Sequence, residues 1–453
     1  MNCEKLRNPS MDKKKQLKHT VNKAKEQSSM EKRNQNDKSK TIHDILPLDL
    51  IHKILLRVPI RHLTRLRCVS KLWSSLISDP DCVELHFHHS PAATKACFFM
   101  KNDTMAYLVY LDDNYASQKV VCPPFKKKPP SDFEVLGSCR GFILLHRYPH
   151  FLVVWNPLTG VSKRISYSHI VSRPKYHSFR LPYSTHLHGF RYDASQDDYL
   201  VVAACRDYER QEDHLECLSL RTNSWINLDA VLPSPLDWFD HNSCGLFLNG
   251  AIHWVPSCPK DYRDAILIFD LKERTFSKIS APEQLLTVAC PFPSLALLGD
   301  CLSLYGHNYG RGTTEIWVMK EYKVHSSWTL YEIPCKIFQP LCLSRNGDII
   351  GRGYDKIGYF IYNVRGDLLK RFKNLPCPPP IGYCVYKESL AVLPLPSGIK
   401  DKDKKKKENC MPSSSPSSLG SLESPNIQTE RENEEQHMSG QLATWGRTFE
   451  KCK

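Results

Sequence analysis

The chain holds 453 residues with 41% hydrophobic and 10% aromatic content, enough for one large folded domain or a small one beside a large one. Its net charge is +14, but residues 1–40 carry 12 Lys/Arg against 5 Asp/Glu and residues 400–453 carry 10 against 9, so the central part is only mildly basic. None of the 18 cysteines forms a C-x-x-C pair, which argues against a zinc ribbon or a thioredoxin-like redox site.

The start, "MNCEKLRNPSMDKKKQ", has no apolar core, so a secretory signal is not expected. No apolar run approaches the roughly 18 residues needed to span a bilayer. Scattered thiols without an export signal point to a reducing compartment, the nucleus and/or the cytoplasm. Residues 1–40 are rich in Lys, Asn, Gln and Ser and are expected to form a disordered basic arm.

A short, apolar, helical stretch follows, "LPLDLIHKILLRVPIRHLTRLRCVSKLWSSLISDP", from Leu46 to Pro80. Leu50, Ile51, Ile54 and Leu55 share one face of a first helix. Val58-Pro59 ends it, because the residue before proline is driven out of the helical region and proline lacks an N–H. A second helix is expected to carry Leu63, Leu66 and Val69, and a third Leu72, Trp73, Leu76 and Ile77, stopped at Asp79-Pro80. Three short helices have little core of their own, so the unit, residues 41–88, is expected to lean on a partner or on the next domain.

From about residue 95 the apolar period becomes two. Four 13-residue windows align without gaps: "VVWNPLTGVSKRI" from Val153, "ECLSLRTNSWINL" from Glu216, "LIFDLKERTFSKI" from Leu267 and "FIYNVRGDLLKRF" from Phe360. Each reads as strand, polar turn, strand. A looser copy with a longer loop starts at Glu315. A glycine-turn hairpin precedes each copy, with glycines at Gly141, Gly250, Gly299 and Gly347; for the Glu216 copy the corresponding piece begins near Gly189. Two hairpins per repeat make a propeller blade, giving five units and room for one or two more in residues 95–135 and 375–396. A β-sandwich is the alternative architecture. The large aromatics Trp155, Trp225, Phe269, Trp317 and Tyr362 read as blade core rather than as a stacking platform.

The segment "LPLDLIHKILLRVPIRHLTRLRCVSKLWSSLISDP" resembles an F-box, the module that docks on the small Skp-type adaptor of SCF-type ubiquitin ligases. The later "SCRGFILL…VVWNPLTG" pattern and its repeats resemble the kelch-like F-box-associated region of a large plant family. The implied fold class is α+β multidomain: a small three-helix F-box at 41–88, an all-β, propeller-like domain at 95–396, and disordered termini at 1–40 and 397–453. The resemblance implies a substrate receptor that is not an enzyme, reaching the cullin ligase through the adaptor and holding a client protein on the β-domain. It assigns Leu46, Pro47, Leu50, Ile54, Leu55, Pro59, Leu63, Val69 and Trp73 to the adaptor contact or to the small core beneath it; the residues alone do not separate the two roles. Lys53 departs from the pattern, since relatives often have an acidic residue there.

Other chemistry is sparse. "HFHH" at 86–89 places His86 and His88 on one face of a strand, a linker cluster rather than a metal set. The "GRG" triplets at 310–312 and 351–353 are too short for a phosphate loop, and no nucleophile or metalloprotease motif is present. No catalytic residue, cofactor or metal is expected, and membrane binding is not. Lys404 to Lys407 suit either a nuclear-import signal or a solvated linker. The long connections at 173–188 and 231–244 are the first places to look for client contacts. The alternative function is a basic nuclear nucleic-acid-binding or scaffold protein using residues 1–40 and 401–407, which the mild charge of the central part disfavours.

Overall fold

In a computed structural model, the described residues are 46–89, 95–102, 105–112, 115–124, 133–147, 151–166, 187–207, 212–230, 232, 244–255, 266–282, 293–354, 357–376 and 382–394. The expectations for the basic arm, the tail and its lysine cluster fall outside them, as do nearly all of the two long connections. The chain begins there with four helices: α1 (Leu48–Arg57), α2 (Ile60–Leu66), α3 (Lys71–Ser78) and α4 (Pro80–His89). The fourth corrects the expectation of three. Asp79 is extended and ends α3, while its Oδ1 accepts hydrogen bonds from the backbone N–H groups of Asp81 and Cys82, both at 3.1 Å. That is an N-cap, and Pro80 sits in the first turn, where its missing N–H has no helical partner to lose. The proline that stops one helix opens the next. "HFHH" is therefore helical, and His86 and His88 lie about 200° apart around α4 rather than on one face.

The strands follow in chain order: β1 (Lys95–Asn102), β2 (Met105–Leu111), β3 (Ala116–Val121), β4 (Glu134–Cys139), β5 (Phe142–Arg147), β6 (Phe151–Trp155) and β7 (Ser162–Ser166). Then come β8 (Leu187–Asp193), β9 (Asp198–Asp207), β10 (Glu212–Ser219), β11 (Ser224–Asn227), β12 (Leu246–Leu248), β13 (Ala251–Trp254), β14 (Ile266–Asp270) and β15 (Thr275–Ile279). The last are β16 (Ser294–Leu298), β17 (Cys301–Asn308), β18 (Thr313–Met319), β19 (Trp328–Ile333), β20 (Phe338–Leu343), β21 (Ile349–Gly353), β22 (Gly358–Tyr362), β23 (Leu368–Phe372) and β24 (Tyr383–Lys387). They form six four-stranded sheets, five of them from four consecutive strands. The sixth has the order β24-β1-β2-β3. The two stretches left over in the repeat pattern, near either end of the β-region, are thus one blade, closed by antiparallel pairing of β1 with β24.

The core is divided among the seams between blades. On β5, Ile143 and Leu145 pack toward the closing blade while Phe142 and Leu144 pack toward β8–β11. Both faces of such a strand are buried, so it is an unbroken apolar run. β6, "FLVVW", is buried throughout, whereas its outer neighbour β7, "SKRIS", buries only Ile165 deeply. Six apolar clusters of this kind join each blade to the next around the ring. The hairpin at Asn249-Gly250 has φ of +49° and +81°, the left-handed pair that a two-residue hairpin turn requires.

The fourth residue of each aligned window caps its turn, a role the sequence reading missed. Asn156 Oδ1 accepts from the backbone of Leu158 and Thr159, Asp270 Oδ1 from Lys272 and Glu273, and Asn363 Oδ1 from Arg365 and Asp367. Ser219 Oγ accepts from Thr222 in the remaining window. The signal was on view as N, S, D and N at one position.

Candidate functional site

The helices form around a small core of Ile51, Leu55, Ile60, Leu63, Ile77 and Cys82. Asp49 in the first turn and Arg57 in the last complement the α1 dipole. Val58 leaves the helix in an extended conformation ahead of Pro59. The Ser70 side chain caps α3 by accepting from the Trp73 N–H at 3.2 Å. His86 Nε2 donates to the Val58 carbonyl at 2.9 Å, tying α4 to the end of α1. Burial lowers its pKa, the hydrogen bond to Val58 opposes this, and nearby Lys387 adds to the lowering. This ring is structural, and among the described residues no group of three or more His, Cys, Asp and Glu side chains could hold a metal ion.

The structure separates two roles that the sequence left merged. Leu55 and Leu63 are fully enclosed core, and Leu46 and Trp73 are half-buried against them. Leu50 and Ile54 are 44% and 47% exposed, one turn apart on the outer face of α1, with Leu48 exposed at its start. Pro47 and Pro59 are exposed at the N-caps of α1 and α2. Val69 is not on the second helix but in the turn after it, and it is 64% exposed. An isolated exposed leucine is ordinary; a stripe of them on so small a unit marks a face that another surface covers.

The helical unit is anchored by the segment that leaves β24. Leu390 completes the helical core from more than 300 residues away in sequence. Glu388 is 3% exposed, and Arg61 Nε donates to both of its carboxylate oxygens, at 3.0 and 3.2 Å. The Arg61 guanidinium also lies 3.8 Å from the Tyr110 ring centre, and the Tyr110 hydroxyl donates to Glu388 Oε1 at 2.8 Å. Burial opposes the Arg61 charge, but Tyr110 and Glu388 more than offset it and its pKa is raised. Burial pushes the Tyr110 phenol up, and the Glu388 charge adds to it, so the hydroxyl stays a donor. Ser389 presses on the β4–β5 turn at Gly141, where an added Cβ would sit 2.5 Å from the Ser389 Cβ. Asn156 Nδ2 donates to the Ser389 carbonyl at 2.9 Å. On α4, Glu84 pairs with Arg140, and Lys387 donates to the Phe87 carbonyl. No sequence motif flagged Glu388, because its partners Arg61 and Tyr110 come from two distant parts of the chain.

Of the five repeated aromatics, Trp155, Phe269, Trp317 and Tyr362 are blade core. Trp225 is a correction. It is half-buried on the outer strand β11 and donates its indole N–H to the Ser166 carbonyl at 3.0 Å. It occupies the tenth position of its window; the third, filled by Trp155, Phe269 and Tyr362 elsewhere, holds the buried Leu218.

A helical unit with an exposed apolar stripe, bolted to a six-bladed ring, defines an interaction protein of two parts. Comparison with known proteins agrees. Residues 44–85 match the F-box domain, and residues 96–363 match the F-box associated beta propeller domain. The F-box protein CPR1 of Arabidopsis thaliana is 31% identical over 303 residues, 63% of this chain and 71% of that protein. An F-box/kelch-repeat protein of the same plant is 27% identical over 304 residues, 64% of this chain and 79% of that protein. The chain belongs to the F-box proteins that carry an F-box-associated β-propeller. The closing strand β24 and the segment that holds the helices lie beyond the matched residues.

Proposed function

We propose that the protein is the substrate-recognition subunit of an SCF-type ubiquitin ligase. The F-box takes the Skp-type adaptor on the outer face of α1, through Leu50 and Ile54 with Leu48 beside them, and the propeller holds a client protein. The single observation that carries this reading is that Leu50 and Ile54 stay exposed while Leu55 and Leu63 are consumed by the core. Apolar helix faces of this kind seat in a groove of their partner.

The helices occupy the rim that carries the β4–β5 and β6–β7 turns. Strand direction alternates, so β7 and β11 end, and β8 and β12 begin, at the opposite rim. That rim, which the connections at 173–188 and 231–244 leave and rejoin, is the client side. The protein supplies no catalytic group, and transfer belongs to the ubiquitin-conjugating enzyme that the ligase recruits in the nucleus or cytoplasm. Holding the client near activated ubiquitin makes the encounter nearly unimolecular.

Changing Leu50 and Ile54 together to Ala tests the docking half. Removing central anchors typically costs about 2–4 kcal/mol of binding, some 30- to 1,000-fold in affinity. The double variant is expected to fold and to lose the adaptor from a co-purification. Retention of the adaptor at full stoichiometry would refute the assignment.

A further inference from the structure

The outer face of the helical unit carries charge as well as apolar surface. Residues 46–78, which hold α1 to α3, carry six Lys/Arg and one carboxylate, Asp49, whereas the cap and body of α4 add Asp79, Asp81 and Glu84. Of the six, Arg61 is committed to Glu388. Lys53, Arg57, Arg65 and Lys71 are exposed and Arg67 is half-exposed, and among the described residues none of these five has an ion-pair partner. At about 100° per residue, Leu50, Ile54, Lys53 and Arg57 fall within about 100° of arc on α1. The apolar stripe is thus flanked directly by two cations. Val69 repeats the arrangement in the next turn, set among Arg65, Arg67 and Lys71.

A plain reading is that these cations serve the helix dipoles. Arg57 and Arg65 do stand in the last turns of α1 and α2. Arg67 is the C-cap of α2, but Lys53 in mid-helix and Lys71 at the start of α3 stand at no helix C-terminus, so the dipole explains three of five and leaves the cation beside the stripe, Lys53, unexplained. A polyanion such as nucleic acid would use the cations but leave the aliphatic stripe wet. Cations and aliphatic side chains interleaved on one face fit a protein groove edged by acid.

Resting on the docking reading above, we infer that this face takes a partner whose apolar groove is rimmed by carboxylates, and that an acidic adaptor surface is steered onto it. Rim charges act mainly on the rate of association, whereas desolvated anchors act on the rate of dissociation. The two halves of the face therefore have separable kinetic signatures.

The test uses the full chain and a purified Skp-type adaptor, with association and dissociation followed from about 0.05 M to about 0.5 M salt. Residues 1–40 carry 12 Lys/Arg against 5 Asp/Glu and add to any salt dependence, so the decisive quantity is the difference between the natural chain and K53E/R57E. The natural chain is expected to associate about 10-fold faster than K53E/R57E at low salt, with the gap closing at high salt and dissociation changing less than about 3-fold. K53Q/R57Q, which carries no repulsion, is expected to lie between them. Because Arg57 complements the α1 dipole, the variants are expected to melt slightly below the natural chain, but with both side chains exposed all three proteins are expected to be folded at the temperature of the binding measurement.

Equal association rates for the three, with the adaptor still bound, would overturn the acidic rim and leave the docking assignment standing. An effect confined to dissociation would do the same. Failure of the natural chain to bind the adaptor at all would remove both. A double-stranded oligonucleotide held more tightly than the adaptor by the natural chain, and lost in K53E/R57E, would overturn the inference in favour of a polyanion.

Discussion

His253 shows how one side chain can link two blades and report on pH. Its ring is fully buried on β13. Nδ1 lies 3.1 Å from the Leu246 carbonyl, which can only accept. Nδ1 therefore carries the proton, and Nε2 accepts from the Tyr322 hydroxyl at 2.8 Å. Burial pulls its pKa down to about 4, with Lys323 adding to the effect and the backbone hydrogen bond opposing it. The folded value lies below the unfolded one, so the unfolded chain takes up the proton first as the solution is acidified. This contribution to stability is intact above about pH 6.5 and is lost as the pH falls toward about 4, with an upper size of about 3 kcal/mol. Urea midpoints measured from pH 7 to pH 4 are expected to fall more steeply for the natural chain than for His253→Gln, whose amide keeps a donor and an acceptor but does not titrate. Parallel slopes would show that His253 is not the titrating group.

At the scale of elements, the repeat windows translated directly into β6–β7, β10–β11, β14–β15, β18–β19 and β22–β23, because a strand buried on both faces beside a capped turn leaves a plain mark in sequence. The apolar period of α1 was equally legible, but its division into core and exposed faces was not. Periodicity says which residues align, whereas burial depends on what Leu390 brings to the other side. α4 was missed because Asp79-Pro80 serves both as a stop and as a start. The closing blade was invisible as a unit because its inner strand lies some 280 residues from its other three, and local patterning carries no information about such pairing. β24 is the element on which most depends, since Tyr386 fills the seam to β4–β6 and the next residues hold the helices. A chain cut back to residue 394 is expected to keep the melting temperature of the full chain. One cut back to residue 381 is expected to lose its cooperative transition, with amide exchange accelerating in both β1 and α1. Unchanged exchange in α1 would mean that the helical unit stands without its strap.

On the proposed reading, the described helices and ring act together as a spacer between adaptor and client. Glu388, Ser389 and Leu390 pack between helices and ring, and the proposed adaptor face and client rim are therefore expected to keep a set orientation, which is what delivery of a client to a tethered enzyme requires. Severing the two ends functionally gives a further expectation. A fragment of residues 90–453 is expected to bind the client without delivering it, and to protect it by competition when overproduced. Client abundance followed in cells expressing the fragment beside the full chain decides this. Faster loss of the client with the fragment, or ubiquitin thioester formation on the protein itself, would exclude a purely recruiting role.

The shared blade also sets an order of events at the ribosome. β2 leaves the exit tunnel roughly 280 residues before β24, a delay of about 15–55 s at translation rates of about 5–20 residues per second. Throughout that interval the F-box helices have been synthesised, yet Leu390, which completes their core, and Glu388, which holds Arg61, do not exist. A nascent or prematurely terminated chain therefore lacks the residues that complete the helical core and tie it to the ring. On the proposed docking reading, ligase assembly is expected to follow synthesis of the last strand, and truncated products are expected to recruit the ubiquitin machinery poorly.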